Sequence, residues 1–349
     1  MRPEIPKYKT SRVVAGVIIA IAAAVFAPLL TGFCTTLISF TVINAFLYGF
    51  GGMVPAAAGM LLDVIAFGMY FGIEGALTAF LAFVAPSAFI IRNLRWRVPF
   101  SKMMVQSIAA QVLGVFAALV AAYFFVGSDL IGALVETLRS LFDMVYPGAI
   151  DFVLSRIYDI EAVPDTLSQA QLVTGVLDEA RRSAYLDGYL NEISASLRLT
   201  LPGYLLSASC LTGVLATAWP AKLINRRLPM HGAYISLARW YTPWRVSLGL
   251  LGGWVVTWLI TVLGLEGGDS VQLAFQALLF LVLRVQAAAS LERRLIQFNM
   301  RAGLRALIII VVELLLGEFV IYYGAFSALF GSTGAASQLR ARRADKENK

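Results

Sequence analysis

Long apolar stretches dominate this chain, and the charged residues gather in short clusters between them. From Val13 to Ile91 the only formal charges are Asp63 and Glu74. A helix needs about 20 apolar residues to cross roughly 30 Å of hydrocarbon. The pattern therefore predicts a first span at Val13–Leu30 and three short helices within Thr31–Ile91. Those three should break near Gly49-Phe50-Gly51-Gly52 and near Phe71-Gly72. Further spans are predicted at Met103–Val126, Leu199–Ala221, Ser247–Leu265, Val271–Ser290 and Ala306–Phe330. The expected architecture is an all-α, polytopic transmembrane helix bundle of about nine spans, within a range of roughly eight to ten. Residues 1–330 read as one integral membrane domain, and 331–349 as a charged C-terminal tail.

The segment Gly127–Arg198 departs from this pattern. Leu130, Leu134, Leu138, Leu141 and Phe142 recur at helical spacing, with Asp129, Glu136, Arg139 and Asp143 between them, which predicts an amphipathic helix. Pro147 and Pro164 interrupt the pattern. From about Ser168 a second helix is expected to run through Leu172, Val176, Leu177 and Ala180 toward the sixth span. Its polar residues include Asp178, Glu179, Arg181, Arg182 and Asp187. Two helices lying on the outer membrane surface or capping the bundle satisfy this pattern. A lid or docking surface over an outward-facing cavity is the functional alternative.

Composition removes the soluble alternative. Soluble domains carry about a quarter charged residues, whereas this chain has 14% charged and 59% hydrophobic residues and a mean hydropathy of +0.77. One water-soluble core could not bury that much apolar sequence. The net charge of +7 comes from short basic clusters that set topology, so no nucleic-acid partner is expected. The first apolar run follows Arg2, Lys7, Lys9 and Arg12, as in a signal peptide, but its length and the spans that follow favour an uncleaved first helix. Cys34 and Cys210 form no metal-spaced or redox pair.

The loops orient the bundle. Arg92, Arg95, Arg97 and Lys102 fill one loop; Lys222, Arg226, Arg227, Arg239 and Arg245 fill another. Arg293, Arg294, Arg301 and Arg305 occupy a third, with only Glu292 against them. With the N-terminus, these fall on one face, which the positive-inside rule makes cytoplasmic. Glu266 and Asp269 fall on the other face, as does Gly127–Arg198 with eleven acids against five bases. That acidic bias opposes attraction to anionic lipid. Trp96, Trp219, Trp240 and Trp244 sit near the cytoplasmic boundary, as an interfacial belt does. The location implied is a bacterial-type plasma membrane. One conflict remains: a single crossing by Ala306–Phe330 puts Arg340, Arg342, Arg343, Lys346 and Lys349 outside. A bent or re-entrant last helix would reconcile the two, and the side of the C-terminus stays open.

Ionisable groups inside a bilayer are costly and usually face the bundle interior or water. The candidates are Asp63, Glu74, Arg284, Glu313 and Glu318, with Glu74 near enough to an outer turn to reach water. Arg284 lies nine residues before Arg293 and Glu313 eight after Arg305, which puts them roughly 13 Å and 12 Å from the same face at about 1.5 Å per residue. An ion pair between them is predicted, in a polar cluster of Asp63, Arg284, Glu313 and Glu318. This cluster either fixes helix packing or forms a midplane binding or ion-coupling site. Gln106, Gln111, Gln272, Gln276, Gln286 and Asn44 are expected to hydrogen-bond between helices. Gly68-xxx-Gly72 and Gly249-xxx-Gly253 have the spacing of close helix contacts. His231, the single histidine, falls in a cytoplasmic loop. No zinc constellation, Ser/His/Asp set or Walker-type loop is present. No catalytic, cofactor-binding or metal-binding residue is therefore assigned, and no enzyme is expected.

Three features carry a family resemblance. Early helices are broken by a Gly-rich turn, from Ala45 through Gly59. The sixth span opens Leu199-Thr200-Leu201-Pro202-Gly203-Tyr204. A basic aromatic loop from Leu237 to Arg245 enters the seventh span. The layout, with Gln272 to Arg305, resembles the YybS-like family of multi-pass bacterial membrane proteins, a domain-of-unknown-function group. Its Gly-broken helices are loosely similar to the substrate-binding components of energy-coupling-factor vitamin transporters. The buried ionisable set, the Gly-broken helices and the outer lid-like segment point to a transporter-like or solute-binding component without its own ATPase, acting in the lipid bilayer on a small-molecule substrate with a protein partner. A non-catalytic scaffold for cell-envelope assembly is the alternative. The first requires a water-accessible midplane cavity lined by Asp63, Arg284 or Glu313. The second requires a solid bundle with an exposed apolar face or an ordered outer surface.

Overall fold

The computed structural model describes residues 8–26, 40–126, 130–161, 163–225, 237–240, 244–265 and 267–330. Cys34, Asp129, Arg226, Arg227, His231, the end of the first predicted span at 27–30 and the tail from 331 lie outside these residues.

Every regular element among the described residues is helical. In chain order they are α1 (Thr10–Val25), α2 (Phe40–Gly51), α3 (Met53–Ala79), a π turn (Phe80–Val84), α4 (Ala85–Arg95), α5 (Phe100–Val126), α6 (Leu130–Asp143), α7 (Pro147–Tyr158), α8 (Gln169–Thr174), α9 (Glu179–Asn225), α10 (Trp244–Val262), α11 (Gly268–Gln297), α12 (Ala302–Leu315) and α13 (Gly317–Phe330). Among the described residues, four helical stretches are long and apolar enough to cross a membrane: Met53–Arg95, Phe100–Phe125, Glu179–Asn225 and Gly268–Gln297. Thr10–Val25, Phe40–Gly51, Leu248–Val262 and Gly317–Phe330 are apolar but shorter. The chain divides into two compact units, one from 1–121 and 202–349, the other from 122–201.

In the first unit both predicted glycine breaks are present. Gly52, at φ 90°, separates α2 from α3. Gly72, at φ 71° and ψ −164°, interrupts α3, a conformation open essentially to glycine alone. The chain turns back there, so Phe67 before the break meets Phe83 after it, with ring centroids 5.5 Å apart. Ala66, Phe67 and Ala79 share one apolar cluster with Ala24 of α1 and Phe40 of α2. A second, larger cluster joins Val42, Ala45 and Leu47 to Ile90, Met103, Ala216 and Ala221. The π turn offsets the helical hydrogen-bond ladder; the Ala82 carbonyl there accepts from Gln111 Nε2 at 3.1 Å and Thr41 Oγ1 at 3.4 Å.

Two glycine expectations change. Gly72 has nothing within 4 Å of its missing Cβ, so it is a hinge and not half of a Gly68-xxx-Gly72 contact. In Gly249-xxx-Gly253 only Gly253 makes an approach, against the Phe275 ring, and Gly249 faces open space. The last predicted span is also two elements. Leu316, at φ −126° and ψ 29°, ends α12, and α13 starts at Gly317. Each has 14 residues, about 21 Å of rise against about 30 Å of hydrocarbon. Gly324 lets α13 sit directly on the Leu283 carbonyl of α11, where any Cβ would collide.

The second unit packs Ile150 and Leu154 of α7 on Leu186 and Leu190 of α9, with Leu138 and Phe142 of α6 closing over them. Pro147 opens α7, where its missing N–H has no helical partner to lose. The predicted second helix is not continuous. Ser168 and Gln171 cap α8 reciprocally, Gly175 at φ 79° ends it, and α9 begins only at Glu179. Val176 and Leu177 are non-helical because their amides are engaged elsewhere in this unit.

Candidate functional site

Arg284 of α11 and Glu313 of α12 form an ion pair, Nε to Oε1 3.3 Å. Arg305 and Glu292, each about two turns closer to the connecting turn, stand 4.0 Å apart. The two contacts put α11 and α12 in antiparallel register, which is the geometry that equal depth in the sequence requires. The Arg284 guanidinium also lies beside Gly317, at the break after α12.

Beside this pair a groove of about 260 Å³ opens between α11, α12 and α13. Ala287, Leu291, Val312 and Phe319 give it apolar walls, and Glu313, Arg294 and Tyr323 supply polar atoms. Tyr323 is held from two sides: its hydroxyl is 3.1 Å from Ser290 Oγ, and the Arg294 guanidinium lies 5.5 Å from its ring centroid. Arg293 is turned away, donating to the Trp240 and Ala238 carbonyls at 2.8 and 3.2 Å. Arg294 thus supplies the groove's positive charge. Glu318 stands exposed in the first turn of α13 and does not line the groove.

Asp63 is held separately from this pair. It is 2% exposed, and Asn44 of α2 donates Nδ2 to its Oδ2 at 2.7 Å. Asn44 is itself fully buried; its Oδ1 packs on Gly59 and has no hydrogen-bond partner. The four predicted cluster residues are therefore distributed: Arg284 and Glu313 together, Glu318 exposed near them in sequence, Asp63 with Asn44. Glu74 is exposed two residues after the Gly72 hinge. Asn44 was legible as an interhelical hydrogen-bonder, but nothing in the spacing pointed to Asp63 as its acceptor.

The strongest electrostatic arrangement was not anticipated. In the second unit the fully buried Asp151 carboxylate is gripped by Arg182, Nε to Oδ1 2.6 Å and Nη2 to Oδ2 3.0 Å. The amides of Val176 and Leu177 donate to Oδ2 at 2.6 and 2.9 Å. Burial pushes the Asp151 carboxyl up, but the hydrogen bonds from Arg182, Leu177 and Val176 outweigh it and hold its pKa below the ordinary carboxylate value. Arg182 is raised in turn, chiefly by its hydrogen bond to Asp151. Arg139 pairs with Asp187 in the same unit. Among the described residues no three His, Cys, Asp or Glu side chains converge as metal ligands would.

Comparison with protein-family models, curated proteins and solved structures finds no match to this chain.

Proposed function

We propose that this chain is a multi-pass component of a bacterial plasma membrane that binds a small-molecule solute, in a transporter-like role and without its own ATPase. In this reading the chain crosses the bilayer about nine times, its N-terminus is cytoplasmic and residues 127–198 form an extracytoplasmic helical unit. Its surroundings are the lipid bilayer, its energy comes from a protein partner, and nucleic acid plays no part. The observation that carries the reading is the Arg284–Glu313 pair at the edge of the α11–α13 groove. Hydrocarbon penalises such charges heavily, and a mostly apolar groove with a few convergent polar groups is how solute sites are built. The likeness to energy-coupling-factor binding components points the same way as analogy only.

Native mass spectrometry of the chain released from mild detergent tests this. Wild type is expected to carry a small-molecule adduct that Ala287→Trp, which fills the groove, removes. An adduct-free wild type that co-purifies with cell-wall synthesis proteins would replace solute binding with the scaffold reading. That second reading has one observation in its favour. The second unit is ordered around its own core and presents Met144, Val145 and Tyr146 at 80%, 45% and 61% exposure.

A further inference from the structure

The carboxyl of Asp63 is enclosed by three elements of the first unit. α1 runs alongside α3: Gly16 abuts Pro55, and the Tyr70 hydroxyl donates to the Val25 carbonyl at 3.4 Å. Ala20, between these contacts, is 2% exposed. α2 supplies Asn44, with Phe40 and Leu47 a turn to either side. The returning arm after Gly72 packs Ala79 and Phe83 on Ala66 and Phe67, one turn along α3 from Asp63.

Charged and titratable groups on these elements stand at the far ends. On α1, the backbone of Arg12 lies against Gly51, and Asp63 is twelve residues beyond Gly51 along the chain. On α2 there is only Tyr48, whose carbonyl accepts from Tyr8. On α3 and the arm, Glu74 is exposed at the hinge, and Arg92 and Arg95 sit in the last turn of α4. Lys102 opens α5, and Lys222 closes α9. Among the described residues no Lys or Arg forms an ion pair with Asp63; its one hydrogen bond comes from a neutral amide.

A carboxylate so enclosed, with one neutral donor, is costly to leave charged and is relieved by a proton. A metal cation would need several more oxygen ligands than these two side chains provide. Asn44 suits both protonation states. Its Nδ2 donates to an ionised carboxylate; with the amide turned over, which exchanges an oxygen and an NH2 group of similar size, its Oδ1 accepts from the carboxyl O–H. That oxygen is the atom left without a partner on the Gly59 side.

We infer that Asp63 and Asn44 form an intramembrane proton-binding site. As the coupling ion of the transporter-like component, the proton rests on that reading; its presence on Asp63 does not, and the test below involves no transport.

The full chain, with its aspartates carboxyl-labelled with carbon-13, is reconstituted in phosphatidylcholine vesicles and its infrared spectrum recorded at neutral pH. A protonated aspartic acid stretch is expected in wild type, shifted by the label and by deuterium exchange, absent from Asp63→Asn, and the same in sodium and potassium buffers. Absence of the band from wild type, or its survival in Asp63→Asn, overturns the site. Loss of the band on adding sodium overturns it in favour of a metal cation. The labelled wild-type spectrum decides the first of these even where the variant fails to fold.

Discussion

Replacing Arg182 by Met should cost the second unit about 3–5 kcal/mol, the range for breaking a buried ion pair by removing one partner. Three hydrogen bonds go with the guanidinium: two to Asp151 and one, at 2.8 Å, to the Leu177 carbonyl. Methionine keeps most of the stem, so packing loss is small. What dominates is a carboxylate with zero exposure left with only the Val176 and Leu177 amides. At 1.4 kcal/mol per tenfold, amide exchange through opening of this unit should accelerate by roughly two to three and a half orders of magnitude. Hydrogen exchange read by mass spectrometry on peptides covering 169–190 measures this in detergent. The pH dependence has a definite sign. Asp151 titrates in the folded state below the ordinary aspartate value of 3.8, so its stabilisation is complete above that value and is lost as pH falls through the folded-state pKa. The gap between wild type and Arg182→Met should therefore be full at neutral pH and shrink in acid, beginning where the variant's Asp151, no longer held by the guanidinium, takes up its proton. Equal exchange in the two proteins at neutral pH would refute the claim that this pair holds α7 to the 175–178 turn.

Arg284→Leu should lower the folded yield by stranding Glu313, and adding Glu313→Leu should restore it; a double variant no better than the single would remove the coupling. Gly72→Ala forces a side chain into a glycine-only conformation and should destabilise the α3–α4 hairpin by about 1–3 kcal/mol, read as a lower thermal aggregation temperature in detergent. Gly324→Ala places a Cβ against the Leu283 carbonyl and should push α13 off α11, so a disulfide between Cys residues at Ala287 and Val320, in a background lacking Cys34 and Cys210, should form more slowly than with Gly324 intact.

What the chain's pattern revealed follows from which interactions are local. The breaks at Gly52 and Gly72 were legible because glycine clusters in an otherwise unbroken apolar run have one cheap use, turning the chain. The amphipathic α6 was legible from its 3.6-residue period. Arg284 and Glu313 could be matched because both lie on sequence neighbours joined by a short turn, so counting residues from that turn measures depth. Nothing comparable links Asp151 to Arg182 across 31 residues, or Asn44 to Asp63 across 19, since each pair depends on how its elements rotate and pack. The end of α8 was missed for the same reason: a continuous apolar period through Val176 and Leu177 is overridden by a carboxylate arriving from α7. The break at Leu316 has no local breaker before it, because Leu314, Leu315 and Leu316 all favour helix.

Three acids illustrate three ways of keeping a carboxyl out of water. Asp151 has a bidentate arginine and two amides, so it stays charged and its unit depends on it. Glu313 has one cation at 3.3 Å and a groove beside it, so its charge is balanced while one side remains open to an incoming group. Asp63 has neither cation nor opening, only an amide that serves as donor or acceptor. An ion pair in hydrocarbon gains little over apolar residues of the same shape, and an unpaired acid gains less still. Packing alone would thus be served as well by apolar residues at both 44 and 63, or at both 284 and 313. Only at 151, where four donors converge on one carboxylate, does holding the fold account for the charge. The other two acids are therefore the positions where ligand and proton are to be sought.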